Sequence, residues 1–354
     1  MKLGFGLYKH MLNEEHYKFA RQCGATHVII HLVDYFNRGN KDSLNNQPVG
    51  ARGGWGIAGD PDKLWTVEEM VKVKEDLAMH GLVLEGIENF DPAHWYDILL
   101  DGPKRDRHID NVKTIIRNAG KAGIPVFGYN FSLAGVAGRV IENSARGNAA
   151  SVGLKGKNDM LEEPVPKGMI WNMVYDENAD KGFQPEITHE ELWDILKRFL
   201  EEVIPVAEEA GVIMAAHPDD PPLEFVRRQP RLVYQPHLYQ RLLDLYPSES
   251  NQLEFCLGTL AEMSDGDIYE ATDQYTKQDR VAYIHFRNVK GKVPYYKETF
   301  IDEGDIDMKR IVEILKKNHF EGVLIPDHTP QMSGKAPWHS GMAFAMGYMK
   351  ALLS

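Results

Sequence analysis

Residues 188–217, THEELWDILKRFLEEVIPVAEEAGVIMAAH, hold one complete structural unit. Leu192, Ile195, Leu196, Phe199, Leu200, Val203, Ile204 and Ala207 recur at the period of a helix with one apolar face. Thr188 with Glu191 three residues later forms a capping box at its start, Pro205 is expected to kink it near its end, and Gly211 closes it. Val212–Ala216 then reads as a short buried strand that runs into His217. Recurrence of this helix–strand alternation decides the fold.

The alternation runs the length of the chain. Strand-like runs at Leu3–Leu7, Thr26–Leu32, Leu82–Glu88, Pro125–Phe131, Leu253–Cys256, Val281–Phe286 and Gly322–Pro326 bring the total with Val212–Ala216 to eight. Helical faces lie between them, one marked by Val67, Met70, Val71, Leu77 and Ala78. Another is marked by Met308, Ile311, Val312 and Leu315, behind Asp305 and Asp307, which suit a helix N-terminus. Alternating elements mean parallel strands, so residues 1–354 are expected to form a single α/β domain, a closed (β/α)8 TIM barrel. Gly39–Asp62 and especially Ser132–Gln184 exceed a minimal barrel. Both follow strands and therefore lie on the C-terminal face, and 132–184 is expected to be a lid over the site. The plainer alternative for it is a surface excursion or an oligomer contact.

Composition narrows the function. Among 354 residues, 43% are hydrophobic and 26% charged, and 40 Lys and Arg against 52 Asp and Glu give a net charge of −12. That balance argues against nucleic acid as a partner. Two distant cysteines, Cys23 and Cys256, exclude a disulfide framework and a CxxC site. No apolar run approaches the ~20 residues of a membrane span, and the start lacks a signal-peptide pattern, so a cytoplasmic protein is expected. A small-molecule substrate fits best, with a homo-oligomer left open. Gly4-Phe5-Gly6 lacks the third glycine and helix start of a dinucleotide fingerprint.

Four consecutive strands each deliver a metal-capable side chain to one rim: His217, Cys256, His285 and Asp327. Unprotonated, they form a four-ligand set for a divalent transition ion with room for substrate or water. Each alone has a structural explanation, as a turn residue, a buried hydrophobe, a core histidine or a helix cap. Coincidence at the same point of four successive repeats favours the site. Ligand chemistry leaves Mn2+, Fe2+, Co2+ and Zn2+ open. Glu88, Asn130 and His31 end other strands, and Glu88 and Asn130 are read as substrate-binding. Arg287 is placed to pair with a substrate carboxylate, His328 to move protons, and Asp219 and Asp220 to bind a sugar hydroxyl, or else to orient a turn.

The stretch 204–222, IPVAEEAGVIMAAHPDDPP, with Phe255-Cys256-Leu257-Gly258, Tyr283-Ile284-His285-Phe286-Arg287-Asn288 and Ile325-Pro326-Asp327-His328, closely resembles the metal-dependent mannonate dehydratases. The resemblance implies a xylose-isomerase-like barrel binding Mn2+ through His217, Cys256, His285 and Asp327. It also implies conversion of D-mannonate to 2-keto-3-deoxy-D-gluconate and water in hexuronate breakdown. Two segments depart from that pattern. Where the family carries a proton-transferring tyrosine in a Gly-Tyr-Ser-like segment, this chain has Pro337-Trp338-His339-Ser340, so His339 and His328 are read as the acid–base pair with Arg287 on the carboxylate. Ser132–Arg139 replaces a Trp- and Arg-containing stretch. Alternatives are a dehydratase of another sugar acid, a metal-dependent sugar isomerase or epimerase on the same barrel, and a non-catalytic carbohydrate-binding protein.

Overall fold

The computed structural model describes residues 1–38, 47–49 and 53–354. All eight expected strands form: β1 Lys2–Leu7, β2 His27–Ile30, β3 Val83–Glu88, β4 Val126–Tyr129, β5 Ile213–Ala216, β6 Asn251–Cys256, β7 Val281–His285 and β8 Val323–Ile325. They pair in parallel, each with its sequence neighbours, and β1 pairs with β8 to close the barrel. Helices cover the outside, so strands are buried on both faces and read as nearly continuous apolar runs. Every residue of β6 and β7 is buried.

The outer ring consists of α1 Glu14–Gln22, α2 Val67–Ala78, α3 Arg105–Lys121, α4 His189–Ala210, α5 Leu238–Leu245, α6 Ile268–Lys277, α7 Met308–Lys317 and α8 Pro337–Leu353. The capping box of α4 is present, with Thr188 and Glu191 each accepting from the other's backbone N–H, and Gly211 ends the helix at φ 65°. Pro205 lies inside α4, which continues to Ala210. Leu192, Leu196, Phe199, Leu200, Val203, Ile204 and Ala207 are fully buried against the barrel. Among the described residues, no helix is long and apolar enough to cross a membrane.

Residues 132–184 have more regular structure than their sequence suggests. Val140–Ala145 and Ala149–Lys155 form an antiparallel hairpin turned at Gly147, whose φ of 67° favours glycine. This hairpin pairs with a second one after β7, Asn288–Lys292 and Tyr295–Thr299, to make a four-stranded antiparallel sheet. Of the Gly39–Asp62 stretch, residues 39–46 and 50–52 lie outside the described ones; Gly56–Ile57 pairs with Met173–Val174. Both extra segments thus pair with other parts of the chain rather than standing alone.

Candidate active site and metal centre

The strand ends bring the expected ligand residues together. His217 follows β5, Cys256 and His285 end β6 and β7 and stand opposite each other in register, and Asp327 lies two residues beyond β8. One ligand atom from each of His217, Cys256 and His285 lies within 4.8 Å of the others. Asp327 Oδ2 is 3.5 Å from His285 Nδ1. Asp327 also adopts φ 55°, a left-handed conformation uncommon outside glycine and concentrated at functional sites. His217 turns Nδ1 to the Pro218 carbonyl at 2.5 Å, which leaves Nε2 for the site. His285 places Nε2 3.3 Å from Glu88, while its buried Nδ1 has no hydrogen-bond partner.

The donor set fits a divalent cation. Burial by itself would raise the Cys256 thiol, but the Arg287 guanidinium and hydrogen bonds with His217 and His285 hold it well below its ordinary value, which favours the thiolate that a metal needs. Burial opposes charge on His217, yet Glu254 and Cys256 push it up to about 9. Burial and the neighbouring Glu88 raise Glu254. Among the described residues, the carboxyls of Asp220, Glu262, Glu298 and Asp327 crowd around the two fixed cations Arg139 and Arg287, and those of Glu88 and Glu254 stand at His285. An ion with two positive charges offsets that excess. His217, Cys256, His285 and Asp327 could hold it.

A cavity opens above these residues, lined by Tyr8, His31, Tyr35, Trp55, Glu88, Asn130, Arg139, Trp171, His217, Asp220, His285, Asp327 and His328, among others. His328 is clamped between two carboxylates, Nδ1 2.9 Å from Glu298 and Nε2 3.2 Å from Asp327. Glu88 and Asn130 face the cavity as expected. Three other assignments change. Asp219 is bound to Arg231 at 2.8 Å and accepts from the backbone N–H groups of Leu232 and Val233, so its carboxylate orients a turn; Asp220 beside it faces the cavity. Arg287 is spent on Asp220 and Glu262 at 2.8 Å and Asp327 at 3.1 Å, and it does not line the cavity. His339 lies in the first turn of α8, its ring 4.7 Å from Phe19 and 6.0 Å from His16 on α1, outside the cavity wall.

The residues that take their places come from the antiparallel sheet and the segment leading into it. Arg139 precedes the first hairpin and projects into the cavity, with Nη1 3.6 Å from Glu298 and 3.9 Å from Asp220 and with Nε unpartnered. Tyr296 and Glu298 share the inner face of one strand, two residues apart. The Tyr296 hydroxyl donates to Asp220 at 3.3 Å. Spacing along the sequence gave no sign of them. The run Tyr295–Thr299, YYKET, carries no polar–apolar alternation that would mark them.

A closed parallel barrel with its reactive groups at the C-terminal strand ends defines an α/β-barrel enzyme. The chain matches the family model of D-mannonate dehydratase, UxuA, over residues 21–352, and it belongs to that family, a family of hydro-lyases. It is 33% identical over 282 residues to a mannonate dehydratase of Streptococcus pneumoniae, covering 76% of each chain. It is 31% identical over 296 residues to one of Geobacillus thermodenitrificans, covering 77% of this chain and 78% of the relative. Among solved structures, mannonate dehydratase from Streptococcus suis serotype 2 superposes over all of this chain and 92% of its own with a TM-score of 0.75 at 28% identity. The 3-keto-D-glucoside 4-epimerase YcjR from E. coli shares the fold at a TM-score of 0.58 and 11% identity.

Proposed function

We propose that the protein removes water from D-mannonate to give 2-keto-3-deoxy-D-gluconate, with Mn2+ held by His217, Cys256, His285 and Asp327. The convergence of these four side chains from successive strand ends, in a chain of this family, carries the reading. The reaction takes a proton from the carbon beside a carboxylate and expels hydroxide from the next carbon; both the acid and the leaving group are poor. A bound divalent ion supplies positive charge where negative charge develops on the substrate oxygens. Arg139 binds the substrate carboxylate in place of Arg287, since it alone of the two faces the cavity. His328 carries the proton transfer, its ring fixed by Glu298 and Asp327, and Asn130 binds a substrate hydroxyl. The 132–184 insertion acts as a wall and cover of the site, contributing Val136, Arg139 and Trp171.

A panel of sugar acids with Mn2+ present, read by formation of 2-keto-3-deoxy acid, tests the reaction. D-mannonate is expected to be consumed with loss of water. Turnover of another sugar acid alone would assign a different substrate, and a product of unchanged mass would assign an isomerase or epimerase. His328→Ala should lose roughly 10²–10⁴ in rate, the usual size of a general acid–base contribution. Activity within about twofold of the parent would remove His328 from proton transfer.

A further inference from the structure

Glu88 at the rim and Glu254 below it on the inner face of the barrel form a buried acidic pair to which the proposed chemistry gives no step. Glu254 lies two residues before Cys256 on β6, is 0% exposed and does not line the cavity. Its Oε1 is 3.1 Å from His285 Nε2 and 4.0 Å from His217 Nε2, and its carboxyl lies beside the Tyr283 hydroxyl. Glu88, from β3 on the other side of the barrel, reaches the same His285 nitrogen at 3.3 Å. Room for this group is made by a glycine: a Cβ on Gly128 would stand 2.6 Å from Glu254 Oε2 and 2.3 Å from the Tyr283 hydroxyl. The two edges of the His285 ring therefore face different surroundings. Nε2 meets two carboxyls, while the unpartnered Nδ1 meets Asp327.

Resting on the ligand assignment above, we infer that Glu88 and Glu254 are positioning residues, which accept the Nε2–H of His285 and so fix the tautomer that offers Nδ1 to the ion. A histidine that ligates a metal ordinarily donates its other ring N–H to an acceptor, and removing that acceptor typically weakens metal binding 10- to 100-fold. Glu254 is the cleaner of the two to test, because a fully buried residue outside the cavity wall cannot touch substrate. Glu254→Gln keeps an acceptor oxygen at the same place, whereas Glu254→Leu removes it.

Mn2+ is titrated into the metal-free protein and its variants, with bound and free ion separated by electron paramagnetic resonance. The parent is expected to take one ion per chain. Glu254→Gln should stay within about threefold of the parent affinity, and Glu254→Leu should lose roughly 10- to 100-fold. Nitrogen-15 spectra of histidine-labelled parent loaded with diamagnetic Zn2+ should show His285 protonated at Nε2, a readout that also decides the matter if Glu254→Leu does not fold. Parent affinity in Glu254→Leu, an equal loss in Glu254→Gln, two ions per parent chain, or His285 protonated at Nδ1 overturns the inference while leaving the ligand assignment standing. A parent that binds no Mn2+ overturns both.

Discussion

Asp219 and Asp220 are neighbours with opposite tasks, because the turn after β5 points one carboxylate at Arg231 and two backbone N–H groups and the other into the cavity. Arg139 and Arg287 divide in the same way: both are buried, but carboxylates enclose Arg287 whereas Arg139 keeps a face to the cavity. Arg139→Lys loses the planar fork that matches a carboxylate and should raise KM for the sugar acid roughly 10- to 100-fold, from the ~1.5–3 kcal/mol of a hydrogen bond to a charged group. Steady-state kinetics check this, and an unchanged KM would give the substrate carboxylate to another group. Cys256→Ser should fold yet bind Mn2+ roughly tenfold or more weakly, because a serine hydroxyl is not ionised at neutral pH. Unchanged metal content in that variant removes Cys256 from the centre.

At the scale of elements, what was legible depended on whether local pattern and tertiary position coincide. The eight strands and the capped α4 were readable because period, caps and glycine stops lie within a few residues of one another. His217, Cys256, His285 and Asp327 were readable because a strand end fixes where a side chain stands in a barrel. A strand end does not fix which way the following residues turn, and so Asp219, Arg287 and His339 were assigned to the cavity and lie elsewhere. Arg139 and Glu298 meet through sheet pairing between segments far apart in sequence, and Glu254 sits inside an otherwise buried strand. None of these leaves a periodic trace. α3 adds a pH effect of its own, since His108 Nδ1 accepts from the Asp97 backbone N–H at 3.0 Å. Burial, with Lys104 and Arg107 nearby, lowers His108 to about 4. The unfolded chain, with a histidine near ~6.5, takes up a proton that the folded chain refuses. Stability from this group is therefore full above about pH 6.5 and falls as pH drops toward 4. Denaturant unfolding of the parent should weaken over that window, and His108→Gln should show a shallower decline. Parallel pH curves for the two proteins would assign the acid sensitivity to other groups.

Across the whole molecule, the net charge of −12 has a local counterpart in the acid-rich barrel mouth. The parallel strands deliver the four proposed ligands, and the antiparallel sheet delivers Glu298 beside them, with Arg139 entering from the segment just before its first hairpin. Binding of the proposed ion would thereby be linked to folding, since the unfolded chain has no preformed site. Mn2+ at about a hundred times its Kd should stabilise the folded state by ~2.7 kcal/mol, a rise of a few degrees in Tm for a chain of this size. Chelator-treated protein should melt correspondingly lower, and differential scanning calorimetry with and without added ion measures the gap. The choice of ion sharpens this. A thiolate and two imidazoles discriminate against Mg2+, whereas carboxylates alone do not. Mn2+, Fe2+, Co2+ and Zn2+ should each raise Tm, while Mg2+ at the same concentration leaves it close to that of the chelated protein. A rise with Mg2+ equal to that with Mn2+ would move the ion off Cys256 and onto oxygen ligands such as Glu88 and Asp327.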